Sequence, residues 1–563
     1  MTEKIIIYQT FPRIFGNKNP NNIFNGNITE NGCGKMKDYS TKALKSIKEL
    51  GCNYIWYTGI IQHATKTDYS KYGIPKNNKY VVKGEAGSPY AISDYYSVDP
   101  DLATNPVKRM EEFAALVERT HKESLKVIID FVPNHVARQY NSQIKPLNVK
   151  DLGETDDDSK AFSPSNNFYY IPNSGFAPLI DLGSGDEQYV EMPAKATGND
   201  CFHQYPSVND WYETIKLNYG VDYSNGSKHF DPIPNTWIKM FDILHYWASM
   251  GIDGFRCDMA HMVPIEFWHW CIAKIKKDFP KIIFIAEIYQ PSLYRDYIFN
   301  GGFDYLYDKV GLYDTLREIV EGKAPASNIT YQWQNLEGIQ KNMVNFLENH
   351  DEQRIASQMF CADPFKAFPA LIVSALMNTN PFMIYFGQEL GEEGMNNEGF
   401  SGKDGRTSIF DYTSLETIRS WNNNGKWDDS NLSQKECEIR EFYKKILTLA
   451  NKEKAFKEGT FFDLMYANYQ NENFDTNKQY AFIRKFEDDL IIVIANFSSN
   501  NEHISLNIPN HAFDFLNIPT GSADAVNLIT KEKYQLILSY NRPLNVEIKG
   551  YNGLLLKFKL AKK

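Results

Sequence analysis

No stretch of this chain approaches the ~18 consecutive apolar residues of a membrane span, which excludes a helical membrane protein as a reading of the sequence. Cysteine is sparse and scattered. The seven, at positions 33, 52, 201, 257, 271, 361 and 437, are odd in number and contain no C-x-x-C pair, so neither a disulfide framework nor a zinc site is indicated. Reduced, mostly buried thiols are the expectation. An excess of positive charge is also missing: 60 Lys+Arg stand against 70 Asp+Glu, a net charge of -10 without long charge runs. That balance gives no footprint for nucleic acid or for an anionic membrane, and neither is expected as a partner. The first residues, MTEKIIIYQTFPRIFG, hold an apolar run of only three isoleucines and no small-residue cleavage pattern, so they read as a first strand rather than a signal peptide. A cytoplasmic protein is the simplest expectation.

What the chain does have is size and rhythm. At 563 residues it is too long for one ordinary core, and one large domain with at least one smaller one is predicted. Short β-branched and aromatic runs alternate with amphipathic stretches as far as about residue 450, the mark of a parallel α/β fold. Eight candidate strands can be marked: 4–9, 54–59, 127–132, 254–259, 282–288, 303–308, 344–349 and 382–388. Helices with apolar residues at three-and-four spacing lie between them, at 109–125, 236–251 and 267–279. Eight such units predict a closed (β/α)8 barrel formed by residues 1–135 and 234–455. The rhythm breaks after Asn134 and resumes at Pro234, which predicts an inserted loop-rich domain over 136–233. From 456 to 563 the pattern changes to strands and turns, predicting a C-terminal antiparallel β-sandwich. The Asn-rich tract 16–32 reads as a long early loop.

The chemistry sits at strand ends. In GFRCDMAH, Gly254 to His261, an arginine precedes an aspartate by two residues, so Arg256 and Asp258 face the same way. A guanidinium beside a carboxylate is expected to keep it ionised. Glu287 ends the fifth strand among Ile285, Ala286 and Ile288, where desolvation is expected to raise a carboxyl pKa. Asp130, Asn134 and His135 close the third strand, and His350 and Asp351 follow the seventh. In a barrel these ends converge on one mouth. Single acids at strand ends often cap helices or pair with a neighbouring arginine, but four such segments in one chain point to a shared pocket. An ionised aspartate beside a protonated glutamate is what double-displacement cleavage of a glycosidic bond requires, with Asp351, His135 and His350 available to hold ring hydroxyls. Aromatics are 14% of the chain, which suits stacking on apolar sugar faces, although most, including Trp268 and Trp270 in their helical stretch, read as packing residues.

The segments DFVPNH, GFRCDMAH, FIAEIYQ and FLENHDEQR together resemble the four signature regions of the alpha-amylase family of glycoside hydrolases, over nearly the whole chain. The resemblance implies a barrel with an inserted B domain and a C-terminal β-sandwich. It implies Asp258 as nucleophile, Glu287 as acid/base and Asp351 as transition-state stabiliser, with Arg256, His135 and His350 at the substrate. YAISDYYSVDP, 90–100, resembles the family pattern around a stacking aromatic, which would be Tyr90. Arg354 matches as a structural partner; KLNYG, 216–220, and Arg406 match only loosely. Many members ligate a structural calcium through the motif asparagine, a B-domain acid and a histidine four residues past the nucleophile. Here that fourth residue is Met262, a poor partner for a hard cation, and the histidine is His261, so calcium is left open. The expected activity is retaining hydrolysis of alpha-glucosidic bonds in starch-like glucans or malto-oligosaccharides, with no redox cofactor. The alternatives are a transglycosylase on alpha-glucans or sucrose-type substrates, and a non-catalytic sugar-binding homologue. The last would have lost a carboxylate, and all three are in place.

Overall fold

The computed structural model describes residues 3–397 and 399–560. Eight strands close into a barrel: β1 Ile6–Thr10, β2 Tyr54–Tyr57, β3 Lys126–Phe131, β4 Gly254–Cys257, β5 Ile283–Ala286, β6 Tyr305–Tyr307, β7 Met343–Phe346 and β8 Phe382–Tyr385. Each pairs in parallel with its sequence neighbours, and β8 closes onto β1 through Ile6↔Phe382 and Gln9↔Tyr385. Each of the eight apolar runs of the sequence overlaps one of these strands, with ends shifted by at most three residues.

Alternation along the strands splits the core in two. Ile7, Trp56, Ile128, Ile285, Tyr307, Val344 and Met383 fill the barrel interior as one cluster, while their sequence neighbours pack outward on the helices. The same parity carries Asp130, Arg256 and Glu287 inward, because each stands two residues after an interior position. Register then aligns them: Arg256 pairs with Asp130 on one side and with Ile285 on the other. The helices Arg109–Lys122, Asn235–Ser249 and Ile265–Asp278 bury their apolar stripes against the outer faces. Trp268 is fully buried there, its indole N–H donating to the Ala260 carbonyl at 3.0 Å.

Two insertions rise from the C-terminal ends of the strands. Between β2 and β3 a hairpin pairs Ile61–His63 with Ile92–Val98, so the segment carrying Tyr90 enters a strand that the sequence pattern did not reveal. Between β3 and β4 the chain makes only short pairings. His135–Ala137 runs against Thr214–Lys216, Tyr170–Ile171 against Ala194–Lys195, and Val221–Asp222 against Ser227–Lys228.

The C-terminal part forms a six-stranded antiparallel sheet and a two-stranded one, Glu502–Leu506 with Leu544–Ile548. It is not strands and turns alone. A helix, Asn510–Leu516, interrupts it, burying Ala512, Phe513 and Leu516. The large sheet packs against helix Phe368–Leu376, every residue of which is buried. Among the described residues no helix is long and apolar enough to cross a membrane. All seven cysteines are free thiols.

Candidate active site

Arg256 is the hub. It is completely buried, ringed by Trp56, Tyr90 and Tyr307 at 5.3, 5.4 and 5.6 Å from guanidinium carbon to ring centroid. Its Nη1 donates to Asp258 Oδ1 at 2.7 Å and lies 3.6 Å from Asp130 Oδ1. Its Nη2 stands 2.7 Å from Glu287 Oε1, an ion pair in which no N–H of Nη2 is aligned as a hydrogen bond. Burial opposes the guanidinium charge, but Glu287, Tyr307, Tyr90 and Asp258 outweigh it and hold the group above its ordinary value.

Backbone geometry sets the acids. Asp258 N–H donates to Phe131 O and Glu287 N–H to Cys257 O, so both residues continue the barrel ladder by one step before the strands end. Met259 follows with φ +42°, a left-handed conformation that costs a non-glycine residue about 1–2 kcal/mol. The turn aims the Met259 N–H at Glu287 Oε2, 2.9 Å away, while Tyr289 O–H donates to Glu287 Oε1 at 2.7 Å. Glu287 has apolar flanks, as its sequence suggests, but its carboxylate is held by these polar partners. Asn349 Oδ1 accepts from the N–H groups of Asp351 and Glu352, a local turn that presents His350 and Asp351.

The electrostatics reverse one expectation. Arg256 does not hold Asp258 low: burial and the adjacent Glu287 charge raise its carboxyl well above the usual range, and the guanidinium, shared between two acids, only partly offsets them. Asp351 lines the cavity with a side chain 42% exposed. Burial, then Glu287, pushes it up to about 7. Burial also lifts Asp130 to about 6, although Arg256, the Trp56 indole and the Gly59 N–H oppose it. Asp258 and Asp351 are therefore both held up by burial and by the Glu287 charge they face.

Both histidines are neutral. Burial and Arg256 hold His350 well below its ordinary value. Gln9 Nε2 donates to its Nδ1 at 2.8 Å, which places the ring proton on Nε2, 2.5 Å from Tyr90 Oη and 3.1 Å from Asp351 Oδ2. Tyr90 stacks on the same ring, with centroids 5.3 Å apart. His135 is lowered to about 3 by burial and by Lys216, and its Nδ1 accepts from Asn134 Nδ2 at 3.1 Å.

Asp258, Glu287, Asp351, Tyr90, His135 and His350 all line one cavity of about 570 Å³; Arg256 lies beneath its floor. Sequence reasoning missed most of the walls: Trp211, Glu213 and Thr214 from the insertion, Lys309 and Val310 after β6, and Ile409 and Phe410 after β8. Tyr289 was within reach of the period-two rule, standing two residues past Glu287. Arg354 is a structural partner, donating to Glu348 and to the Phe386 carbonyl. Arg406 donates to the Asp351 carbonyl and pairs with Asp404; it lies outside the cavity lining.

A calcium ion does not fit the residues that the resemblance offers it. Asn134 Oδ1 and the insertion's acid beside it, Asp200 Oδ1, which the sequence did not single out, are both taken by the Lys216 ammonium, at 2.8 and 2.6 Å. Calcium takes six or more oxygens, and here a buried ammonium already holds these two. Among the described residues no group of three or more His, Cys, Asp or Glu is arranged to hold a metal.

Comparison with known proteins bears on the same site. Residues 9–459 match the family model of the alpha amylase catalytic domain. Alpha-amylase 2 of Dictyoglomus thermophilum is 23% identical over 90% of this chain and 71% of its own length. Neopullulanase 2 of Thermoactinomyces vulgaris is 20% identical over 98% of this chain and 77% of its own. A maltogenic alpha-amylase from Thermotoga neapolitana shares the fold with a TM-score of 0.62 at 20% identity, over 99% of both chains. A barrel whose strand ends bring acids, histidines and aromatics to one cavity, matched along most of its length by that family model, places this chain in the alpha-amylase family of glycoside hydrolases.

Proposed function

We propose that this protein cleaves alpha-glucosidic bonds in malto-oligosaccharides or starch-like glucans with retention, Asp258 acting as nucleophile, Glu287 as acid/base and Asp351 as stabiliser of the oxocarbenium-like transition state. The supporting observation is that Asp258 and Glu287 grip neighbouring nitrogens of the single Arg256 guanidinium inside the cavity. Two carboxyls so joined have the order of separation, ~5 Å, that a covalent glycosyl-enzyme route needs. In the reacting complex Glu287 carries the proton and faces the leaving oxygen. Asp258 then attacks the anomeric carbon and forms an ester as the bond to the leaving oxygen breaks and that oxygen takes the proton of Glu287. Glu287, now ionised, takes a proton from water, whose oxygen breaks the ester and gives the alpha product.

His350 Nε2–H and the His135 ring offer neutral donors to ring hydroxyls, and Tyr90 offers a face for the sugar. Relatives named maltogenic amylase and neopullulanase support a maltose-based substrate.

Trapping tests the assignment. A 2-deoxy-2-fluoro-maltosyl fluoride is expected to add one fluoromaltosyl group to the peptide containing Asp258, and Asp258→Asn to lower turnover at least ~10³-fold. A label on another residue, or release of the inverted anomer by wild-type protein, overturns the reading. Maltotriose in excess, run beside water alone, separates transfer from hydrolysis.

A further inference from the structure

Lys216 is a buried cation beside the residues that support His135. Its side chain is 1% exposed, and as the last residue of its strand it lies directly opposite His135 in the pairing of Thr214–Lys216 with His135–Ala137. The ammonium donates to Asn134 Oδ1 at 2.8 Å and pairs with Asp200 Oδ1 at 2.6 Å, with the Tyr223 ring 5.2 Å away. These are ammonium hydrogen-bond lengths, and the pair Lys216 and Asp200 is neutral as a unit.

The consequences run to the cavity. With Lys216 fixing Asn134 Oδ1, the other end of that amide is forced toward His135 Nδ1, 3.1 Å away, and toward the Gly198 carbonyl at 2.6 Å. An amide nitrogen only donates, so His135 Nδ1 must accept and its proton sits on Nε2. Gly198 is pressed so close that a Cβ there would stand 2.8 Å from both His135 Cβ and Thr214 Oγ1.

We propose that Lys216 is the chain's own internal cation, fixing the insertion to the end of β3 as a bound metal ion would, and that through Asn134 it positions His135 in the sugar cavity. It is a positioning residue, not a catalytic one. The kinetic arm of its test rests on the function proposed above; the melting and rescue arms do not, so the two readings fail separately.

Wild-type protein is expected to melt at the same temperature, within ~1 °C, in EDTA or in millimolar calcium chloride. Lys216→Ala is expected to lower Tm by roughly 5 °C or more and to raise KM about tenfold with a smaller change in kcat. Methylammonium chloride restores both in Lys216→Ala, because it refills the vacated cation site, and restores neither in Lys216→Met, whose side chain fills it. A wild-type Tm that falls in EDTA and returns with calcium overturns the proposal, as does a Lys216→Ala protein with wild-type Tm and KM or one that methylammonium leaves unchanged. Should Lys216→Ala not fold, Asp200→Asn carries the test: KM must rise while ¹⁵N shifts show His135 moving from its single Nε2–H tautomer, and wild-type values for both overturn it.

Discussion

One guanidinium serves three carboxylates, with a fourth close by, and that ratio decides how the site responds to pH. Asp351, pushed up to about 7, and Asp130, pushed up to about 6, both keep protons in the folded state that an unfolded chain releases near its ordinary value of 3.8. Between pH ~4 and ~7 the native state therefore binds more protons than the unfolded one, and stability falls as pH rises through that window, then levels off. Asp351→Asn removes one of the offending charges. Its Tm is expected to exceed that of the wild type by ~2 °C at pH 8, a gain kept small by solvent at its exposed edge, and to match it at pH 4. Turnover is lost at both. Calorimetry at the two pH values checks this, and a Tm below wild type at pH 8 would show that Asp351 holds the fold together rather than straining it.

At the level of elements, the barrel was legible because strands announce themselves as apolar runs and because period two carries Asp130, Arg256 and Glu287 to the inner face whatever lies between them. The walls were not legible. Trp211, Lys309 and Phe410 come from irregular loops, whose placement depends on long-range clamps with no local signature. Arg13 is such a clamp: buried in the short helix Pro12–Phe15 after β1, it donates to the carbonyls of Ala86, Gly87 and Ile409, tying the Tyr90 loop to the Phe410 loop. The sign of the Asp258 shift was hidden for the same reason, since sequence shows Arg256 beside it but neither its burial nor Glu287 drawing on the same charge. Gly87 marks how tight the clamp is. It has φ +77°, and a Cβ there would stand 1.7 Å from the Ala64 carbonyl oxygen. Gly87→Ala is expected to shift the loop and raise KM about tenfold or more, with a smaller fall in kcat. Unchanged steady-state kinetics would mean that this loop does not shape the cavity.

On the scale of the whole molecule, the barrel and the C-terminal sheet meet at the C-terminal end of helix Phe368–Leu376, where carbonyls lack partners within the helix. Two cations supply them. Lys4, at the start of the chain, donates to Ala375 O and Asn378 O, both at 2.6 Å. Arg484, from the middle of the large sheet, donates to Met377 O and Gly459 O at 2.7 Å and to Ala455 O at 3.1 Å. Each of these partners is a backbone carbonyl, so the helix dipole and the carbonyls themselves compensate the charge. Burial lowers Arg484 to about 9, and lowers Lys4 as well, with Arg484 adding to it. Arg484→Met keeps the apolar stem but strips donors from buried oxygens, which costs about 3 kcal/mol. Because the sheet then loses its grip on the last barrel helix, thermal unfolding is expected to begin earlier and to separate into two steps, while KM stays at the wild-type value. A single transition at the wild-type temperature would show that apolar packing alone, that of helix Phe368–Leu376 on strands Asp489–Asn496 and Asn552–Lys559, binds the barrel to the C-terminal sheet.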